Sequence, residues 1–157
     1  MIALETILTP SRSRVNVTGG SKKKALESVA ALLAEEQPSI DPNQLFDSLV
    51  AREKLGSTGF GNGIAIPHCR LDSCTTPMGA ILRLDSPVDF DAIDGAPVDL
   101  LFVLLVPTVA TEEHLDLLRQ IASLFNNEHI RQSLRQAPDD LALYQAFLTA
   151  RQSGSRQ

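Results

Sequence analysis

Few side chains in this sequence can do covalent or acid–base chemistry at neutral pH. There are three histidines (His68, His114, His129), two cysteines (Cys69, Cys74), one tyrosine and no tryptophan. His68 is set apart by what precedes it: Gly56-Ser57-Thr58-Gly59-Phe60-Gly61-Asn62-Gly63, then Ile64-Ala65-Ile66-Pro67. An imidazole with an ordinary pKa of about 6.5 is mostly a neutral nitrogen nucleophile near pH 7. A glycine-rich stretch lets the backbone approach a ligand closely. The segment is not a Walker loop, because it lacks the Gly-Lys-[Ser/Thr] ending, nor a dinucleotide fingerprint, because it precedes a strand. Three other readings stay open for His68. It can be a structural hydrogen-bonder. It can join a zinc site, although His68 and Cys69 are adjacent and no Cys-x-x-Cys accompanies them. Or it can be the base for acyl transfer by Cys69, whose nearest sequence cation is Arg70. Arg52 lies shortly before the glycines. His114, behind Glu112 and Glu113, can hydrogen-bond or orient a group at His68, whereas His129 reads as an ordinary helix-start residue.

Positioning these groups requires a scaffold, and apolar spacing sketches one. Ala25, Leu26, Val29, Leu32 and Leu33 predict a helix over about Ser21–Glu36, capped by Ser21. Lys22, Lys23 and Lys24 in its first turn oppose the macrodipole, at some tenths of a kcal/mol per charge, for no local structural reason. A second helix is expected over Pro42–Leu55, with Asp41 at the cap and Gly56 as the stop. The glycine segment itself is expected to be irregular. Strands are expected at Arg14–Val17, Ile64–Pro67, Gly79–Leu84 and Asp99–Val106, the last apolar enough to be buried on both faces. Phe90–Gly95 reads as a loop. Three helices should follow. The first, about Glu112–Phe125, is capped by Thr111 with Leu115, Leu118, Ile121, Ala122 and Phe125 on one face; the others are about Glu128–Gln136 and Pro138–Leu148. Ser153–Gln157 should fray. Mixed strands and helices throughout indicate one α/β domain spanning 1–157, with a core at about 4–148 and a mixed sheet layered between helices.

Composition narrows the function classes. With 43% hydrophobic and 21% charged residues the chain is neither disordered nor in need of disulfide staples. A net charge of −5 disfavours general nucleic-acid binding. The longest fully apolar run, Leu100–Val106, is far short of the roughly 20 residues of a membrane helix. A cytoplasmic protein without membrane insertion is therefore expected. Charge is uneven. Met1–Lys24 carries five bases against Glu5, and the stretch from Arg83 to Asp116 carries eight acids against Arg83. Either both faces are simply solvated, or one docks a charged protein partner.

The stretch from Arg52-Glu53-Lys54-Leu55-Gly56 through Ile66-Pro67-His68 resembles the signature around the phosphorylated histidine of phosphotransferase-system enzyme IIA domains of the fructose/mannitol type. Ser21-Lys22-Lys23-Lys24-Ala25-Leu26-Glu27 and Phe90–Phe102 are similar to the nitrogen-regulatory branch, and the resemblance spans about Leu4–Leu148. It implies the mannitol-type enzyme IIA fold and a phosphohistidine intermediate on His68. The donor would be a small HPr-like histidine phosphocarrier, charged by phosphoenolpyruvate through an enzyme I. Arg52 matches the family's active-site arginine and His114 its second active-site histidine. Phosphoryl transfer is largely positioning and charge stabilisation, so an Arg fork and backbone N–H groups of Gly56, Ser57, Thr58, Gly59, Gly61, Asn62 and Gly63 suit it without metal or other cofactor. The branch implies regulatory targets of the potassium-transport or sensor-kinase type. The alternatives are a sugar IIA component passing phosphate to a IIB partner, or an anion-binding module that is never phosphorylated. Relatives commonly continue Pro-His-Gly-Lys where this chain has Cys69-Arg70.

Overall fold

The computed structural model describes residues 2–109 and 112–155, with side chains through 151. Two short 3-10 turns, Leu4–Thr6 and Pro10–Arg12, lead into strand β1 (Ser13–Val17). Helix α1 (Lys22–Glu36) begins where the Ser21 side chain accepts the Lys24 N–H at 3.1 Å. Helix α2 (Pro42–Leu55) is capped by Asp41, whose Oδ1 accepts the Asn43 N–H at 3.0 Å. There follow β2 (Gly59–Gly61), β3 (Ile64–Ala65), β4 (His68–Arg70), β5 (Met78–Val88) and β6 (Val98–Val106). Helices α3 (Glu112–Phe125), α4 (Glu128–Gln136) and α5 (Asp140–Ser155) complete the chain.

Strand β6 organises the molecule. Its alternate residues Leu101, Val103 and Leu105 pack with α1 and α2, while Leu100, Phe102, Leu104 and Val106 pack with α3, α4 and α5. Both faces are thus apolar, each buried side chain stabilising by about 1.5–3 kcal/mol. The result is the expected mixed sheet between two helical layers. Its order is β1-β5-β6-β3-β2, with β4 also on β6. Strand β6 runs antiparallel to β5 and parallel to β3 and β4. Phe102 anchors the second layer, its ring centroid 5.7 Å from Phe147 and 6.2 Å from Phe125.

Strands β3 and β4 follow one track along β6. Ile64 and Ala65 pair with Leu100 and Leu101, and His68, Cys69 and Arg70 pair with Leu104, Leu105 and Val106. The track breaks at Ile66-Pro67, where proline brings no N–H to the ladder. His68 resumes pairing immediately after the break.

The glycine segment departs from the irregular loop expected of it. Gly59–Gly61 pairs antiparallel with Ile64–Ala65 around the two-residue turn Asn62-Gly63. Asn62 and Gly63 adopt φ of 58° and 80°, the left-handed pair that a tight hairpin of this kind requires. A Cβ on Gly63 would also run into the Arg135 guanidinium. That guanidinium bridges Asp99 Oδ1 at 2.9 Å and the Asn62 carbonyl at 2.6 Å. Gly63→Ala should therefore destabilise by about 1–3 kcal/mol, combining left-handed strain with a displaced ion pair. A lower urea midpoint at unchanged slope is the expected readout; a wild-type midpoint would show the turn to be tolerant.

Other boundaries were sharpened. Strand β5 extends to Val88, and His68–Arg70 adds a strand that the sequence did not suggest. Helix α5 starts later than Pro138, because the Asp139 side chain accepts the Ala142 N–H at 2.8 Å and so serves as cap. It continues past Leu148 to Ser155, where fraying was expected from 153; residues 156 and 157 lie outside the described residues, as does the expected cap Thr111. The buried stripe of α3 is Leu117, Ile121, Leu124 and Phe125: Ile121 and Phe125 lie on it as expected, Leu118 packs against it partly buried, and Leu115 is exposed.

Candidate functional site

The break after Ala65 is what builds the site. Released from the ladder, the Ile66 carbonyl lies 2.8 Å from His68 Nδ1. A carbonyl only accepts, so this contact places the imidazole proton on Nδ1 and leaves a lone pair on Nε2. The Arg52 Nε–H donates to that Nε2 at 3.2 Å, while Arg52 Nη1 donates to the Gly56 carbonyl at 2.8 Å. Arg52 is on the last turn of α2, so the end of that helix delivers a cation to the histidine.

Burial is the largest influence on the His68 pKa and pushes it below the ordinary imidazole value. The Ile66 hydrogen bond opposes that shift, the Arg52 charge adds to it, and the Glu53 charge opposes it. The net effect keeps the ring neutral at neutral pH, with the Nε2 lone pair available. Arg52 and His68 open into a cavity of about 890 Å³ between the ends of α2 and α3. His114 lines the same cavity, as do Arg70, Glu112, Leu55, Leu115 and Leu118. The Nδ1 of His114 is enclosed and has no hydrogen-bond partner among the described residues. Leu115 and Leu118 of α3 thus form an apolar wall of the cavity that holds the histidine. Leu55 and Leu115 are exposed at its rim.

The structure therefore brings Arg52, His68 and His114 to one cavity. It does not bring the glycine segment there as a cradle of free donors. None of Gly56, Ser57, Thr58, Gly59, Gly61, Asn62 or Gly63 lines the cavity. Several of their N–H groups are already engaged: Gly56 by the Glu53 carbonyl, Thr58 by the Glu53 carboxylate, Gly59 by Ser57 Oγ and Asn62 by Asp94. Asp94, from the Phe90–Gly95 loop, accepts N–H bonds from Asn62 and Ala96 that hold its carboxyl below the usual range. The physical reason is that hairpin formation and capping compete for the same amides a ligand would use.

Cys69 alternates with His68 and points into the α1–α2 core, where burial pushes its thiol up to about 12. A protonated buried thiol is no nucleophile, which removes the acyl-transfer reading. Native protein should accordingly alkylate at Cys69 at least about tenfold more slowly than in denaturant at pH 8. Stoichiometric labelling of the native thiol within minutes would overturn this.

Sequence reasoning missed Glu53, a carboxylate buried to 8% exposure beneath the glycine segment. It accepts the Thr58 N–H at 3.1 and 3.2 Å, is hydrogen-bonded by Thr58 Oγ1, and pairs with Lys22 Nζ at 2.7 Å. The signal was present in the unfavourable lysines at the start of α1: Lys22 is there for Glu53, not for its own helix.

Residues 6–150 match the family described as the phosphoenolpyruvate-dependent sugar phosphotransferase system, EIIA 2. A protein of Pseudomonas aeruginosa named "Nitrogen regulatory protein" is 67% identical over 145 residues, 92% of this chain and 94% of that one. The crystal structure of nitrogen regulatory protein IIA-Ntr from Neisseria meningitidis superposes with a TM-score of 0.84 at 42% identity, covering 91% of this chain and 97% of that one. Enzyme IIAMTL of Escherichia coli, solved in complex with phosphorylated enzyme IIBMTL, shares the fold with a TM-score of 0.71 at 14% identity, over 90% and 99% of the two chains.

Proposed function

This chain belongs to the EIIA 2 family of the phosphoenolpyruvate-dependent sugar phosphotransferase system, and on that premise we propose that it is a regulatory phosphocarrier of the nitrogen-related branch. His68 accepts a phosphoryl group from the phosphohistidine of a small HPr-like carrier, itself charged from phosphoenolpyruvate through an enzyme I. The observation that carries this reading is the fixed tautomer of His68, with Nδ1–H held by the Ile66 carbonyl and the Nε2 lone pair beside Arg52.

In the transfer, the Nε2 lone pair forms the new P–N bond as the donor's P–N bond breaks and its electron pair returns to the donor nitrogen. The Nδ1 proton stays in place, and its hydrogen bond to Ile66 stabilises the positive charge that develops on the ring. Arg52, freed from Nε2, turns its fork to the phosphoryl oxygens. His114 orients the group from the α3 side. The glycine hairpin contributes by holding Arg52 and the Ile66 carbonyl rather than by cradling phosphate. The exposed Leu55 and Leu115 at the rim give the donor protein an apolar seat.

Phosphorylation adds about −1.5 to −2 charges at one point of that rim, enough for a target to distinguish two states. Targets of the potassium-transport or sensor-kinase type, and work in the cytoplasm, follow from the branch. The nitrogen-regulatory branch is favoured over a sugar component by the 67% identity to a protein of that name. The test is incubation with phosphoenolpyruvate, enzyme I and the small carrier, followed by intact-mass measurement. One acid-labile phosphoryl group per chain is expected. An unchanged mass with active donors sinks the reading.

A further inference from the structure

We propose that Lys22, Glu53 and Thr58 are positioning residues for the acceptor histidine, acting through the backbone to select which of its nitrogens is nucleophilic. This role rests on the proposed phosphoryl acceptance at His68, and it concerns how the ring is prepared for it.

The contacts form one continuous path. Lys22 Nζ meets the Glu53 carboxylate at 2.7 Å. That carboxylate receives the Thr58 N–H and hydroxyl. The Thr58 carbonyl accepts the Ile66 N–H at 3.0 Å, and the Ile66 carbonyl accepts His68 Nδ1–H at 2.8 Å. Lys22 is further steadied over the Phe90 ring, 5.4 Å from its centroid, and by Asp91 at 3.5 Å. Glu53 also sits next to Arg52 on the last turn of α2. One buried carboxylate therefore ties together the two groups that address opposite nitrogens of the imidazole: the Ile66 carbonyl on Nδ1 and the Arg52 guanidinium on Nε2.

Chemistry gives the path its direction. A buried carboxylate is costly unless paired and hydrogen-bonded, so Glu53 holds its partners in one geometry. Loosening it lets the Thr58–Ile66 peptide segment shift. A carbonyl displaced from Nδ1 no longer dictates the tautomer, and the ring samples the form with the proton on Nε2, in which Nε2 has no lone pair to form the bond to phosphorus. A misplacement of about 1 Å can slow a positioned reaction by about 100-fold, and partial population of the wrong tautomer costs less. The other charged or titratable groups at the histidine are Arg52 from α2, Arg70 from β4, and Glu112 and His114 from α3. None is altered by the substitutions below.

The experiment uses Thr58→Val, Glu53→Gln and the charge-neutral double variant Lys22→Met/Glu53→Gln, with Lys22→Arg as the conservative replacement. Two readouts are taken. Nitrogen-15 shifts of His68 report the tautomer without any donor present. Single-turnover phosphorylation reports the maximal rate and the half-saturating concentration of phosphorylated carrier separately. Wild type should show the Nδ1–H tautomer. The first three variants should show a mixed population and about tenfold slower maximal transfer, with half-saturation within about twofold of wild type. Lys22→Arg should retain both wild-type values. Folded variants with a wild-type tautomer and rate, even if less thermostable, overturn the proposal. Should Glu53→Gln fail to fold, Thr58→Val, which removes one hydroxyl, decides the question by the same criteria. A tautomer shift in variants of a protein that no donor phosphorylates would refute the phosphocarrier reading, and with it the effect on transfer, while upholding the control of the tautomer by Lys22, Glu53 and Thr58.

Discussion

His68→Gln should abolish phosphoryl acceptance while leaving the fold in place. The ring is half-buried at the edge of the sheet and contributes two hydrogen bonds, one to Ile66 and one from Arg52, but little to either hydrophobic layer. Glutamine keeps comparable volume and hydrogen-bonding capacity, so the loss in stability should stay near 1 kcal/mol. It cannot form a P–N bond under these conditions, so intact mass should show no phosphoryl gain with donors that fully modify the wild type. A retained phosphoryl group would point to His114, which shares the cavity. The same residue sets the pH profile. Transfer requires neutral His68, and its pKa lies below the ordinary value of 6.5, chiefly through burial. The neutral form therefore persists as pH falls through 6.5. The acceptance rate should stay level from neutral pH to below that value and decline only in more acidic solution. A rate that halves at 6.5 or above would contradict the buried environment.

Arg52→Met should slow acceptance by about 10²-fold, the order lost when one preorganised donor to a developing charge is removed. The guanidinium spans two acceptors at once, the Gly56 carbonyl and His68 Nε2, so it is held before any phosphoryl group arrives. Arg52→Lys should recover only part of the rate, since an ammonium cannot hold the loop carbonyl and face the phosphoryl oxygens with a planar fork. Removing the cation also removes one contribution that lowers the His68 pKa, the main one being burial. The histidine of Arg52→Met should thus titrate at higher pH than wild type in an NMR titration. Wild-type transfer kinetics together with an unshifted titration would remove Arg52 from the site.

The secondary structure was legible where a local rule governs it. The Ser21 and Asp41 caps, the Pro42 start and the Gly56 stop set α1 and α2 to within a residue, because each acts within one turn. The run Leu100–Val106 declared a strand buried on both faces, and it became the spine of both cores. The hairpin at Gly59–Ala65 was not read, although Asn62-Gly63 is the dipeptide that a two-residue turn selects. Reading the glycines as ligand-binding freedom hid that simpler use. The stripe of α3 was legible only in part: Ile121 and Phe125 were on it, Leu117 and Leu124 were not named. Leu115 and Leu118 share helical spacing with Ile121, and nothing within the helix says which apolar face meets the sheet and which walls a cavity.

What the sequence determined by itself was the inventory: one histidine after a glycine segment, one arginine before it, a second histidine on a later helix, and a net acidic chain of the size and pattern of an α/β layer. The residues alone left several readings of His68 open, and it was the resemblance of the long motif to the enzyme IIA signature that implied a phosphocarrier. Tertiary structure decided how those residues are used. It showed that several amides of the glycine segment are engaged by Glu53, Ser57 and Asp94, that Cys69 faces the core, and that Lys22, 31 positions before Glu53, pairs with it beneath the segment. The reason is physical. Caps, turns and apolar periods act over a few residues and are written locally, whereas a tautomer is set by whichever carbonyl the fold brings to the ring. Here that carbonyl is freed by a break in the pairing along β6.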